Sequence, residues 1–267
     1  MNVALLRQTW RAQRLKVAIV GLAIVIWSSL MPIVYGTFGQ TFRSIIDSGL
    51  VPVEFTQFGG GDIFSLSGSI ALGAVHPISL VLNAVFAVGF ASAAVAGERQ
   101  RGTLEVVLAR PLSRRTLYVT LLVATLGFVG LTIAATIVGA VGGSVLAGVA
   151  DELEPARLPL LWLNGFLLFG AIGAIALAAS VSFDRLTPAL GIVIGLVVVM
   201  YFLDVLGTFW PDAKGLQPYS LFHYYDAKGV LEGADSTRDF ALLATVGVAA
   251  VAWALAVFPR RDLAAPA

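Results

Sequence analysis

The sequence predicts an all-α, polytopic membrane protein of six transmembrane helices, with an N-terminal amphipathic helix and a short charged cytoplasmic helix. Three observations lead to the membrane class. Of 267 residues, 58% are hydrophobic and only 12% charged, where a soluble domain carries about 25% charged residues. The mean hydropathy is +0.90. That value comes from several long apolar runs rather than from one anchor.

The elements follow in order. In residues 1–16, Val3, Leu6 and Trp10 recur at helical spacing while Arg7, Arg11 and Arg14 form another stripe. This suits a helix lying on the inner leaflet with snorkelling arginines, and equally a simple topogenic flank. A helix of roughly 20 apolar residues crosses the bilayer core, and the first such run is Val17 to Tyr35. It is longer than the ~7–15 residues of a signal-peptide core. Phe38, Phe42, Ile45 and Ile46 then suggest a short surface helix, closed by Gly49 and a turn at Gly59, Gly60 and Gly61.

The second run is Val75 to Ala96, followed by a charged segment at 97–115. The third, Thr116 to Ala150, is too long for one straight crossing, so it is expected to tilt, project or bend, with Gly142 and Gly143 as the bend. The fourth, Leu160 to Val181, is joined by a short loop, Ser182 to Thr187, to the fifth, Pro188 to Gly207. An outer loop at 208–239 leads to the sixth, Phe240 to Phe258. No soluble domain fits in the remainder, so residues 1–267 form one transmembrane domain.

Basic residues are retained on the cytoplasmic side. With the N-terminus inside, the inner segments hold Arg7, Arg11, Arg14, Lys16, Arg99, Arg101, Arg110, Arg114, Arg115, Arg185, Arg260 and Arg261. The outer ones hold Arg43, Arg157, Lys214, Lys228 and Arg238. Both termini are therefore expected in the cytoplasm, and the protein in the cell membrane.

Zero Cys and two His argue against disulfide, thiolate and Cys- or His-rich metal chemistry. A net charge of +1 offers no field for nucleic acid. Neither a GxxxxGK[ST] phosphate loop nor HExxH nor GxSxG occurs, so the chain is expected to bind no nucleotide and to be no enzyme. Asp204 is the one carboxylate inside a predicted span, too little for a proton relay. Transport then requires an outside energy source.

The segment after the second span is the most charged of the chain. Read as one helix, it aligns Glu98, Arg101 and Glu105 on one face and Leu104, Val107 and Leu108 on another. Gly102 stands where the chain must turn, Pro111 stops the helix, and Ser113 can cap the third span. This run of Glu98, Arg101, Gly102, Thr103, Leu104, Glu105, Pro111, Ser113 and Arg114 resembles the permeases of the type-2 ATP-binding-cassette (ABC) exporter family. Those carry a glutamate, Arg-Gly-Thr-Leu-Glu, an apolar turn and Pro-x-Ser-Arg between their second and third helices. The stretch Pro218 to Asp226 resembles their aromatic segment before the sixth helix, so the likeness extends over most of the chain.

The resemblance implies a permease subunit that pairs with a second copy, as a homodimer, and binds two ABC ATPase subunits. Glu98, Arg101, Gly102, Thr103, Leu104 and Glu105 would serve as coupling residues. ATP and magnesium would then reside on the partner, with no cofactor in this chain. The resemblance also directs attention to a cleft between the second and fifth helices, where Asn83, Phe86 and Phe90 form one stripe and Val197, Tyr201 and Asp204 another. Such a path suits a hydrophobic or amphipathic substrate such as a drug, antibiotic or lipid, although aromatic stripes at this spacing also serve plain packing. Ala135, Gly139, Gly143 and Ala147 on the third span, and Gly191 and Gly195 on the fifth, are small-residue seams. For the third span, packing within the chain is the expected use. Two other classes fit the architecture: a non-transporting scaffold or sensor, which would form an ATPase-free complex, and a secondary carrier, which would run on an ion gradient alone.

Overall fold

The computed structural model of the chain describes residues 1–47, 61–109 and 112–261, with the side chains of 40, 42–47, 107 and 108 also outside the description. The expected turn at Gly49, Gly59 and Gly60, the side chains of Phe42, Ile45, Ile46, Val107 and Leu108, and Arg110 and Pro111 therefore lie outside the described residues. Among the described residues, five helices are long and apolar enough to cross a membrane, or six when a bent pair counts as one span. The protein is an all-α polytopic membrane protein, built as one bundle.

Helix α1 (Val3–Asp47) is continuous over 45 residues, about 68 Å at 1.5 Å per residue. The amphipathic stretch is thus the first four turns of the span, and the predicted surface helix after Tyr35 is its continuation. No helix-breaking residue lies between Arg14 and Val17 to separate them. The N-terminal turns also have a partner to follow: Trp10 stacks on Phe128 at 5.1 Å and the Asn2 amide donates to Thr120 Oγ1 at 2.8 Å.

The second span is bent. Helix α2 (Leu66–Val75), capped by Ser65, meets α3 (Pro77–Ala84) at an angle of 52°. Pro77 disfavours helical backbone at the preceding residue, and His76 is extended with ψ 142°. A π-helical segment follows, Val85–Phe90, then α4 (Ala91–Ala93). The predicted start at Val75 thus falls at the end of a buried apolar helix, Leu66–Val75, that the predicted elements do not include.

Two short helices, α5 (Ala96–Gln100) and α6 (Thr103–Leu108), lead to α7 (Arg114–Leu146), with Ser113 as N-cap. Helix α7 runs uninterrupted through Gly142 and Gly143, so its 33 residues project beyond the bilayer core rather than break. Gly139 and Gly143 serve contact instead. A Cβ on Gly139 would stand 2.5 Å from the Val25 carbonyl oxygen, one on Gly143 2.3 Å from that of Ser29, and one on Gly36 2.8 Å from Ala147 Cβ. The four-residue seam is the packing face of α7 on α1.

Helix α8 (Leu158–Ser182) is the most enclosed span, followed by α9 (Leu186–Phe209), short 3-10 turns at Pro211–Tyr219 and Phe222–Tyr224, α10 (Ala227–Glu232) and α11 (Thr237–Val257). The aromatic segment is more than a loop: Leu221, Phe222, Tyr224 and Tyr225 are buried, and Asn164 of α8 donates to the Tyr224 carbonyl at 3.0 Å. At that end Lys228 of α10 donates to Asp62 at 2.6 Å, and Ser67 of α2 to Glu232 at 2.7 Å. Burial pushes the Asp62 carboxyl up, but Lys228 and the Phe64 and Ser65 amides outweigh it and hold it below the usual range; the same bond raises Lys228.

Candidate functional site

The predicted coupling residues gather with the N-terminus, the loop after α8 and the C-terminal turn at one end of the bundle. Gly102 has φ +70°, the left-handed corner that an L side chain adopts only with strain. It splits the segment into α5 and α6, so Glu105 does not continue the face of Glu98 and Arg101 as the single-helix pattern supposed. Glu98 spans the corner instead: its carboxylate accepts from the Arg101 guanidinium and from the Thr103 hydroxyl, which also lies 3.1 Å from the Glu98 carbonyl. Leu104 points inward and is 3% exposed, whereas Val106 is 67% exposed and Arg101, Gly102, Thr103 and Glu105 face outward. The corner is thereby anchored on one side and presents a mixed polar and apolar surface on the other.

Behind it lies a cleft of about 230 Å³ walled by Leu5, Gln8 and Gln13 of α1, Phe90, Glu98, Leu104 and Leu117. The segment is tied further by Arg99, whose guanidinium meets Asp184 at 2.6 Å, and by Arg261, which also pairs with Asp184. Arg114 donates to the Phe258 and Arg261 carbonyls, fastening the turn at Phe258–Arg260 to α7. The loop at 182–187 is short, but it is a docking point through Asp184.

The predicted path residues separate. Val197 and Tyr201 line an apolar cleft of about 170 Å³ between the second span and α9, floored by Phe169 and Ile172 of α8 and closed by Phe222. The face of the second span opposite them is Pro77, Leu80, Val81, Ala84 and Val88. Asn83 and Phe86 are turned away: Asn83 is 1% exposed and donates to the Ser79 carbonyl at 3.0 Å, and Phe86 is 0% exposed. Phe86 and Phe90 close on Phe128 of α7 at 5.0 and 5.1 Å, with Lys16 above the Phe86 ring. Their stripe is the packing face toward α1 and α7, and Phe90 also reaches the inner cleft. Asp204 lies beside the cleft rather than in it. Its carbonyl accepts from Gln217 at 3.0 Å and its carboxylate faces His223 at 3.9 Å.

Sequence reasoning missed Ser180 and Asp184 as partners of the coupling segment, and Leu80, Val81, Ala84 and Val88 as cleft wall. The latter have a signal, since 80, 84 and 88 repeat at four-residue spacing. Ser180 has none, because the backbone break it meets at Ala94 and Val95 contains neither Gly nor Pro.

No curated protein matches the sequence. Residues 7–263 match the family model described as ABC-2 family transporter protein. Because that match covers nearly the whole chain, and the fold is a bundle of apolar membrane-spanning helices, the chain belongs to the ABC-2 family of transporters as a membrane subunit.

Proposed function

We propose that this chain is the permease half of an ATP-driven exporter in the cell membrane, with both termini in the cytoplasm. Two copies pair, and two separate ABC ATPase subunits bring ATP and magnesium. The cargo is a hydrophobic or amphipathic compound of the drug, antibiotic or lipid class, moved outward.

The observation that carries this reading is the corner at Gly102. A charged face formed by Arg101, Thr103 and Glu105 is held on a segment locked to the bundle through Leu104 and Arg99. A rigid, outward-facing knuckle of this kind passes a rigid-body displacement from a docked subunit to the spans. The apolar cleft supports the substrate class, because its lining offers hydrophobic surface and the Tyr201 ring. Pairing is supported by α9, whose Gly191 and Gly195 meet nothing within 4 Å and whose Ile192, Val199 and Phe202 are bare.

The test is co-purification with an ATP-hydrolysing subunit. Glu105→Arg reverses a charge on the exposed face without touching the packing, so the complex is expected to weaken or its ATP hydrolysis to lose stimulation by transported compounds. A variant that binds and is stimulated like the parent refutes the coupling role. Transport by an ion gradient alone would instead favour a secondary carrier.

A further inference from the structure

The second span is not continuous with the coupling segment. Helix α4 ends at Ala93 and α5 begins at Ala96; Ala94 and Val95 between them keep right-handed helical dihedrals, but the Val95 and Ala96 amides have left the helical hydrogen-bond ladder. A break of this kind strands backbone groups that must find partners when buried. One side chain supplies them. Ser180, on the last turn of α8 and 0% exposed, accepts from the Val95 and Ala96 amides at 3.0 Å each and donates to the Ser92 carbonyl at 2.7 Å.

The next turn of chain adds two more ties. Asp184 holds Arg99 of α5 and Arg261 of the C-terminal turn, and the Arg261 guanidinium also donates to the Val181 carbonyl at 2.9 Å. The Gln100 side-chain oxygen accepts from the Leu186 amide, the first residue of α9, at 2.9 Å.

From this geometry we infer that Ser180 and Asp184 are positioning residues that pass a displacement of the coupling segment into α8 and α9. The fourth and fifth spans then receive the stroke directly, in addition to the second and third spans that the segment joins by chain. The inference rests on the coupling role proposed above. Stiffness decides the route. Along the chain, the helical hydrogen-bond ladder lapses between the second span and α5, whereas across the chain the buried Ser180 bonds, reinforced by the more exposed Asp184 and Gln100 ties, bridge the gap directly. The recipient also matters: α9 begins at the residue Gln100 holds, and Val197 and Tyr201 of the same helix wall the apolar cleft. Movement of α5 would reach the cleft through a helix that does not touch it in sequence.

The absence of native Cys allows a single reporter. A polarity-sensitive fluorophore on Val198→Cys, at the rim of the cleft, is followed in the complex with its ATPase in lipid nanodiscs, with and without ATP plus vanadate. The parent is expected to show a nucleotide-dependent emission shift. Ser180→Ala and Asp184→Asn should each reduce that shift at least threefold while ATPase still co-purifies and hydrolyses ATP, and Asp184→Glu, which keeps the carboxylate, should restore most of it. Should Ser180→Ala misfold, Asp184→Asn carries the result, because its carboxylate is half-exposed. An undiminished shift in Asp184→Asn, with the complex intact, overturns the inference. A parent chain that holds no ATPase overturns the coupling reading itself, and is recognised before any variant is made.

Discussion

Adjacent glycines of α7 are expected to respond to one added methyl group with opposite sign. At Gly143 the new Cβ would meet the Ser29 carbonyl oxygen at 2.3 Å and its Cα at 2.7 Å, backbone against backbone. Ordinary contact needs roughly 1 Å more, so α1 and α7 must part along their closest approach, an overpacking that costs about 1–3 kcal/mol. Alanine returns up to about 1 kcal/mol in helix propensity over glycine, leaving Gly143→Ala a net loss of roughly 0–2 kcal/mol. At Gly142 the Cβ meets nothing within 4 Å, so only the gain of up to about 1 kcal/mol remains. The two variants should then differ by the overpacking cost of about 1–3 kcal/mol and melt roughly 2–12 °C apart, taking about 2–4 °C per kcal/mol for a chain of this size. Thiol-dye methods fail on a chain without Cys, so the assay is loss of the monodisperse peak after heating in detergent. If Gly143→Ala melts at or above Gly142→Ala, the two helices are not in contact there and the seam is misassigned.

Other expectations follow from the same contacts. Gly191→Leu and Gly195→Leu point into open space within one chain, so melting should hold while the fraction of paired chains in native mass spectrometry drops; unchanged pairing removes α9 from the interface. Phe86→Ala should destabilise by about 3–5 kcal/mol as a core truncation and leave compound selectivity alone, whereas Tyr201→Ala should change which compounds stimulate the partner's hydrolysis; the reverse pattern would return the path to the Phe86 face. A Cys placed at Ser113 should resist an impermeant thiol reagent on intact cells and one at Ser236 should react, the opposite result inverting the topology. For the Asp62–Lys228 tie, the lowered Asp62 contributes above its unfolded value near 3.9 and is lost as pH falls through its lower folded value, while the raised Lys228 contributes below about 10.4 and is lost as pH rises through its higher one. The melting difference between parent and Asp62→Asn should therefore be flat from about pH 5 to 9; a difference that vanishes inside that window would disprove the tie.

The membrane class and most span limits were legible because hydrocarbon thickness fixes a run length that composition alone displays. The coupling corner was legible for a different reason: Gly102 and Ser113 are residues whose backbone demands are local. The bend at His76 had a local cause in Pro77, but the ten residues of small apolar helix at Leu66–Val75 were assigned no element, since they are too short to register as a span. The path stripe failed on geometry. Asn83, Phe86 and Phe90 obey helical spacing, but spacing says only that residues share a face, not which neighbour the face meets. The π-helical turn at Val85–Phe90 also shifts the register through the stripe, and nothing in Val-Phe-Ala-Val-Gly-Phe announces it.

The contacts that do most to define this site are the least visible in the sequence, and for one physical reason. A bilayer makes the interior of the bundle apolar, so the few hydroxyls within it settle on whatever backbone is left unpaired. Most of them, such as Thr125 and Ser144, simply return to their own helix at 2.9 and 2.8 Å. Ser180 differs because its partners lie on another helix, where the hydrogen-bond ladder of the second span lapses ahead of the Gly102 corner. From that point the chain of contacts runs to Asp184, to the start of α9, and along α9 to the cleft wall. Helix α9 packs against α8, the second span and the following 3-10 turn on one side and is otherwise scarcely buried within the chain, so contacts at its ends bear on its position. A span held near its start by Gln100 and near its end by Gln217 would, on the coupling route inferred above, be the element to move as a lever, with the cleft opening or closing along its length.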